Sequence, residues 1–343
     1  MERVCGGSCA PTSPAGVKRS GWETPPCHAH AAETAPEQTG RGHVVGRGFP
    51  DMAAFLLHAA WQECLPPPRG TAAFMDIRIG YDIAYECQVR TPMVLSLRVH
   101  PSRADDLHAP DTIVTDPPLA TSEYTDGFGN TCTRLVIQPG RTRLTASTVI
   151  RDSGLPDEVA PGAPQHDIAD LPSECIVFLL GSRYCETDKL SQEAWDLFGK
   201  TPLGWGRVQA IVDHVHDHVT FGYANARPTK TASDVRIERA GVCRDFAHLA
   251  ITYCRCMNIP ARYVTGYLGD IGVPKDPAPM DFSAWFEAYL GGRWYAFDAR
   301  HNKPRIGRIV IARGRDASDV AISTSFGMTT LANFQVWTDE VVA

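Results

Sequence analysis

Cys243 stands in the run Gly241-Val242-Cys243-Arg244-Asp245-Phe246, at the point where a helical pattern begins. The unpaired N–H groups and the positive dipole end of a helix start favour thiolate over thiol, and Arg244 adds a positive charge beside it. A cysteine so placed could attack an acyl carbon. Cys254 and Cys256 lie deep in the same helix and read as small core residues. Other candidate chemistry is weaker. His214 and His218 sit four apart on one helix and could seat two imidazoles on a metal, but no third ligand follows at metalloprotease spacing. A solvated polar face is the plainer reading. Cys27, His28 and His30 could join Cys5 or Cys9 around zinc, yet a Gly-Gly-Ser loop separates the two earlier cysteines and the surroundings read as a tail. No metal and no organic cofactor is expected.

The elements that must position Cys243 can be read from periodicity. Phe246, Leu249, Ala250, Tyr253 and Met257 mark the apolar side of its helix, which Asn258-Ile259-Pro260 ends. A strand over residues 261–267 follows. Residues 282–290 and 293–300 then flank Gly291-Gly292, a two-residue connection suited to a primed turn. With that turn, Leu290 faces Arg293, Trp285 faces Asp298 and Ser283 faces Arg300, so that Ser283, Trp285, Asp298 and Arg300 share one side. Trp285, Tyr289 and Trp294 share that side, as core packing or as the lining of a groove. By the same parity His301 faces Phe282 on the opposite side, barring a bulge. His248, five residues after Cys243, points about 140° away round the helix and reads as a packing residue. An earlier apolar stripe of Trp205, Val208, Ile211, Val212, Val215 and Val219 predicts another helix.

Upstream the pattern is different. Ile77, Ile79, Tyr81, Ile83, Tyr85, Cys87 and Val89 alternate with mostly polar or small residues, the signal of a half-buried strand. Met93, Leu95, Leu97 and Val99 repeat it, and strands over 131–137 and 141–150 follow the turn-rich Asp126-Gly127-Phe128-Gly129-Asn130. The expected organisation is a β-rich domain over 75–153 of small-sandwich type, a Pro- and Gly-rich linker over 154–172, and an α+β core over 173–343. Residues 1–74 read as a disordered upstream extension, with Met75 as the natural start. Peptide mass spectrometry of the native protein checks this: a peptide from residues 1–74 would overturn it.

The chain has 343 residues and a net charge of −6, so no global attraction to nucleic acid or anionic lipid is expected. No apolar run reaches the roughly 18–20 residues a membrane helix needs. Eleven cysteines is an odd number, with no CxxC pair and no signal-peptide pattern, which points to a reducing, cytoplasmic setting.

The stretches RAGVCRDFAHLAITYCRCMNIPARYVTGY and FSAWFEAYLGGRWYAFDARHN put a cysteine at a helix start, then a strand, then a hairpin carrying an aspartate. In that order they resemble the transglutaminase-like superfamily, close to bacterial members with a β-rich N-terminal region, over essentially all of residues 75–343. The resemblance implies a papain-like core and a Cys-His-Asp triad: Cys243 as nucleophile, Asp298 as the orienting carboxylate, and a histidine at position 283. It also implies a protein or peptide substrate; oligomeric state stays open.

Serine at 283 departs from this pattern. A hydroxyl cannot take the thiol proton and return it to a leaving amine near neutral pH. Two functions follow from the sequence. One is a thiol hydrolase or acyltransferase of protease or amidase type working through an acyl-Cys243 intermediate. The other is a catalytically degenerate domain that keeps the groove and binds protein or peptide.

Overall fold

The computed structural model describes residues 74–341, and the alternation that opens them is a strand, β1 (Met75–Cys87), with Ile77, Ile79, Tyr81 and Ile83 buried. The strands β2 (Thr91–Leu95), β3 (Val114–Asp116), β4 (Ser122–Thr125), β5 (Thr131–Ile137) and β6 (Gly140–Asp152) complete the upstream β region. Four helices then enter: α1 (Ser173–Ile176), α2 (Thr187–Phe198), α3 (Trp205–His218) and α4 (Ala232–Glu238). Two short strands, β7 (Thr220–Phe221) and β8 (Ala240–Gly241), pair in parallel just before α5 (Cys243–Cys256). The chain ends in β9 (Ala261–Tyr267), β10 (Ser283–Leu290), β11 (Arg293–Phe297), β12 (Ile309–Gly314), β13 (Ser323–Ser325) and β14 (Thr329–Glu340).

These strands form three four-stranded antiparallel sheets, ordered β14-β1-β6-β3, β13-β2-β5-β4 and β11-β10-β9-β12. The third carries α5 against β9 and β10. One continuous apolar core runs from Ile77 and Leu95 in the first two sheets to Leu249 and Phe286 around α5. The α+β class with a β-rich N-terminal region is therefore as expected.

Two boundaries differ from the sequence reading. β14 pairs along the whole of β1 and β13 pairs with β2, so the chain's last strands belong to the upstream sheets and not to the core. Residues 154–172 are no loose linker either. Pro164 accepts the Gly291 N–H at 2.9 Å, His166 Nε2 accepts the Gly292 N–H at 2.8 Å, and Ala163 accepts the Trp205 N–H at 3.0 Å. Composition marks such a segment as irregular, but its backbone groups still need partners, and here the hairpin turn supplies them.

That hairpin has the expected register. Leu290 pairs with Arg293 and Phe286 with Phe297 across Gly291 (φ 56°) and Gly292 (φ 85°), both left-handed as a primed turn requires. On the neighbouring strand Gly266 pairs with Ser283. A Cβ at Gly266 would lie 2.2 Å from the Ile309 carbonyl oxygen and 2.7 Å from the Trp285 ring. Gly266→Ala should therefore cost about 1–3 kcal/mol of overpacking strain and lower the Tm by several degrees in calorimetry. An unchanged Tm would show that the close approach is not required.

Candidate functional site

α5 begins at Cys243 because the residues around it satisfy the helix start. Asp245, fully buried, accepts the Val242 N–H at 3.0 Å. A Cβ at Gly241 would stand 2.6 Å from Asp245 Cβ, so the carboxylate fits only beneath a glycine. The buried Lys230 ammonium donates to the Ala240 carbonyl at 2.9 Å and fixes the preceding strand.

Cys243 itself is half-buried. Arg244 turns away from it, donating to Asp245 Oδ1 at 3.2 Å and to the Arg227 carbonyl at 2.8 Å. Burial first, and then the Asp281 carboxylate, push the Cys243 thiol up to about 11, against the opposing pull of Arg300 and the Ala284 amide. The resting group at neutral pH is thus a thiol. The expectation of a favoured thiolate is reversed, since desolvation and a nearby carboxylate both disfavour the charged sulfur. A positive charge that acts on it is Arg300.

Asp298 is 6 % exposed and fully engaged. Its Oδ1 accepts the backbone N–H groups of Arg300 (3.0 Å) and His301 (3.1 Å), while Oδ2 accepts His301 Nδ1 (2.8 Å) and Arg308 Nη2 (3.0 Å). Burial alone would raise its pKa, but the Arg308 guanidinium and His301 hold the carboxyl far below the usual carboxylate range.

The contact to His301 corrects the parity argument. β11 ends at Phe297, so Asp298 and Arg300 never enter the ladder with Trp285 and Ser283. The chain turns instead: the Asn302 N–H donates to the Asp298 carbonyl at 2.8 Å, and Asn302 adopts φ 47°. Alternation stops where the strand stops, and the turn brings His301 back onto the aspartate. A turn signal was present in Arg300-His301-Asn302, followed by Pro304.

Ser283 opens β10 and is partly exposed. With Asp281, Arg300, His301 and Tyr223 it lines a cavity of about 90 Å³. Cys243 and Asp298 do not line this cavity; Asp298 adjoins it through His301. Arg300 lies against the Phe221 ring at 3.7 Å. Trp285 is packed with Val264 and Val310, and Tyr289 against Trp294, so these aromatics serve the core rather than a groove. His248 is buried, stacks on Tyr184 and accepts the Ala317 N–H at 3.1 Å, as a packing residue does. The rings of His214 and His218 stack at 5.4 Å, and His218 donates to the Arg236 carbonyl. Among the described residues no group of three His, Cys, Asp or Glu side chains could hold a metal ion. The zinc candidates Cys5, Cys9, Cys27, His28 and His30 lie outside the described residues, as do residues 1–73.

A family model described as the transglutaminase-like superfamily matches residues 196–299, which span Cys243, Ser283 and Asp298. A solved structure from Cytophaga hutchinsonii, provisionally named a cysteine protease, is 31 % identical with a TM-score of 0.68, covering 79 % of this chain and 92 % of its own. The chain belongs to the transglutaminase-like superfamily. This transglutaminase-like chain is also 28 % identical over 232 residues to an uncharacterized protein of Mycobacterium tuberculosis, covering 73 % of that relative. It is 39 % identical over 88 residues to one of Mycobacterium leprae, of which it spans only 30 %. No helix among the described residues is long and apolar enough to cross a membrane, and the seven described cysteines are all free.

The depressed Asp298 carboxyl sets a pH dependence. A group whose folded pKa lies below its unfolded value, about 3.9, stabilises the fold above that value, and its contribution is lost as pH falls toward the folded pKa. Asp298→Asn should therefore flatten the acid limb: between about pH 5 and pH 3, urea denaturation should show a smaller loss of stability than in the unmodified protein. Equal losses would mean that the carboxylate is not held as described.

Proposed function

We propose that this transglutaminase-like chain is a thiol hydrolase or acyltransferase of protease or amidase type, acting on protein or peptide through an acyl-Cys243 intermediate. The observation that carries the reading is Cys243 at the first turn of α5, with the buried, ionised Asp298 following the hairpin at the aspartate position of the resemblance. A helix-start sulfur with a backbone N–H nearby suits attack on an acyl carbon, and the developing oxyanion gains from the same unpaired donors. The free cysteines fit a reducing, cytoplasmic setting.

A second reading, a degenerate binding module, is favoured by two findings. The Cys243 thiol is pushed up to about 11, and a serine occupies the position where the family carries its base.

Acyl transfer from p-nitrophenyl acetate separates the two. Under the enzyme reading, intact-mass and peptide analysis should find acetyl on Cys243 far ahead of the other cysteines, and Cys243→Ala should abolish the accompanying burst of p-nitrophenol. If the protein leaves Cys243 unacetylated while Ser283→His acetylates it, the binding reading holds.

A further inference from the structure

We propose that the cavity beside Ser283 binds the zwitterionic head of an α-amino acid, its carboxylate on Arg300 and Arg305 and its ammonium on Asp281. The inference goes beyond the Cys243 reading and does not rest on it, because the site is defined by its own charges.

The cavity is lined by charged groups that the fold leaves without partners. The Arg300 guanidinium forms no ion pair or side-chain hydrogen bond with any described residue and rests only against the Phe221 ring at 3.7 Å. Asp281 lines the same cavity and forms no ion pair either; burial pushes its carboxyl up, with only the Phe282 amide and Arg300 favouring its charge. Opposite charges that line one cavity without meeting suit a ligand that bears both.

Arg305 is a second, independent sign of a ligand. It is 4 % exposed and lines the cavity. Its Nη2 donates to the Gly269 carbonyl at 2.9 Å and approaches Asp270 Oδ1 at 3.5 Å. The buried Nε has no partner, and Nη1 bonds to no described residue. A guanidinium left half-bonded in a buried wall is unfavourable until something accepts from it, and its forked geometry matches a carboxylate. The remaining two aspartates of the lining are engaged by their own loop. Asp270 Oδ2 accepts the Asp276 N–H at 2.8 Å, and Asp276 Oδ1 accepts the Ala278 N–H at 2.9 Å. That leaves Asp281 as the carboxylate free for an ammonium.

Size limits the ligand to a small head. At about 90 Å³, against the roughly 10–15 Å³ that one water occupies, the cavity offers about six to nine such positions. The few non-hydrogen atoms of glycine or alanine fill that space. A longer side chain would have to leave past Tyr223, which is exposed.

Isothermal titration calorimetry of the full chain at pH 7 tests this with probes that carry both charges or one. Glycine and L- or D-alanine should bind saturably. Acetate, N-acetylalanine, ethylamine and alanine amide each lack one charge and should bind about tenfold more weakly or worse. Arg300→Gln and Asp281→Asn should each weaken alanine binding about tenfold or more, while Asp281→Asn should leave acetate binding no weaker. Neither side chain has an ion-pair partner to lose, so both variants should fold, which circular dichroism verifies. Nε-acetyl-lysine presents the same head on a long arm: binding equal to alanine marks a head carried on a larger molecule, and exclusion marks a free small amino acid. The inference is overturned if no amino acid binds and the cavity takes water only. It is equally overturned if acetate or ethylamine binds as tightly as alanine, or if either variant binds alanine like the unmodified protein. None of these outcomes bears on acetylation of Cys243, and an inert Cys243 would leave this site standing.

Discussion

The Arg308 guanidinium, buried between Asp157 and Asp298, is the interaction on which the site depends. Asp157 comes from the segment between the upstream β region and the helices, and Asp298 follows the last strand of the hairpin. The buried Asp298 keeps its charge because the Arg308 guanidinium stands beside it, whereas burial alone would drive it toward its neutral form. The same Asp157 accepts the Arg305 backbone N–H at 2.9 Å. The turn that presents His301 is thus held at both ends by charge. An ionised Asp298 then fixes the His301 tautomer, and the orientation of one imidazole traces back to a segment more than a hundred residues earlier in the chain.

Local elements were legible in the sequence. The helix from Cys243 and the strand over 261–267 stand where periodicity puts them, and the Gly291-Gly292 turn has the register that its two glycines imply. Each is governed by contacts close in sequence, which a period of 3.6 or 2 records directly. The reading broke down where a pattern was carried past its physical end. Parity assigned His301 to the far face, but parity exists only while strands are paired, and β11 stops one residue before Asp298.

What no local pattern could reveal was long-range. Arg308 on Asp157 joins residues 151 apart, and neither residue type nor spacing marks the pair. The sign of the Cys243 shift was hidden for the same reason. Helix start and Arg244 argued for thiolate, while burial and the distant-in-sequence Asp281 carboxylate prevail. The tethered 154–172 segment was missed because proline and glycine predict irregular backbone without saying which partners satisfy it.

The return of β14 to β1 has a consequence for biosynthesis. The Arg78–Asp339 contact across these strands joins residues 261 apart, so the first strand of the described region to leave the ribosome pairs on one edge with nearly the last. Until β14 emerges, β1 has β6 on one side and bare amides on the other. The nascent chain must keep that apolar, half-paired edge from other strands until its own partner emerges.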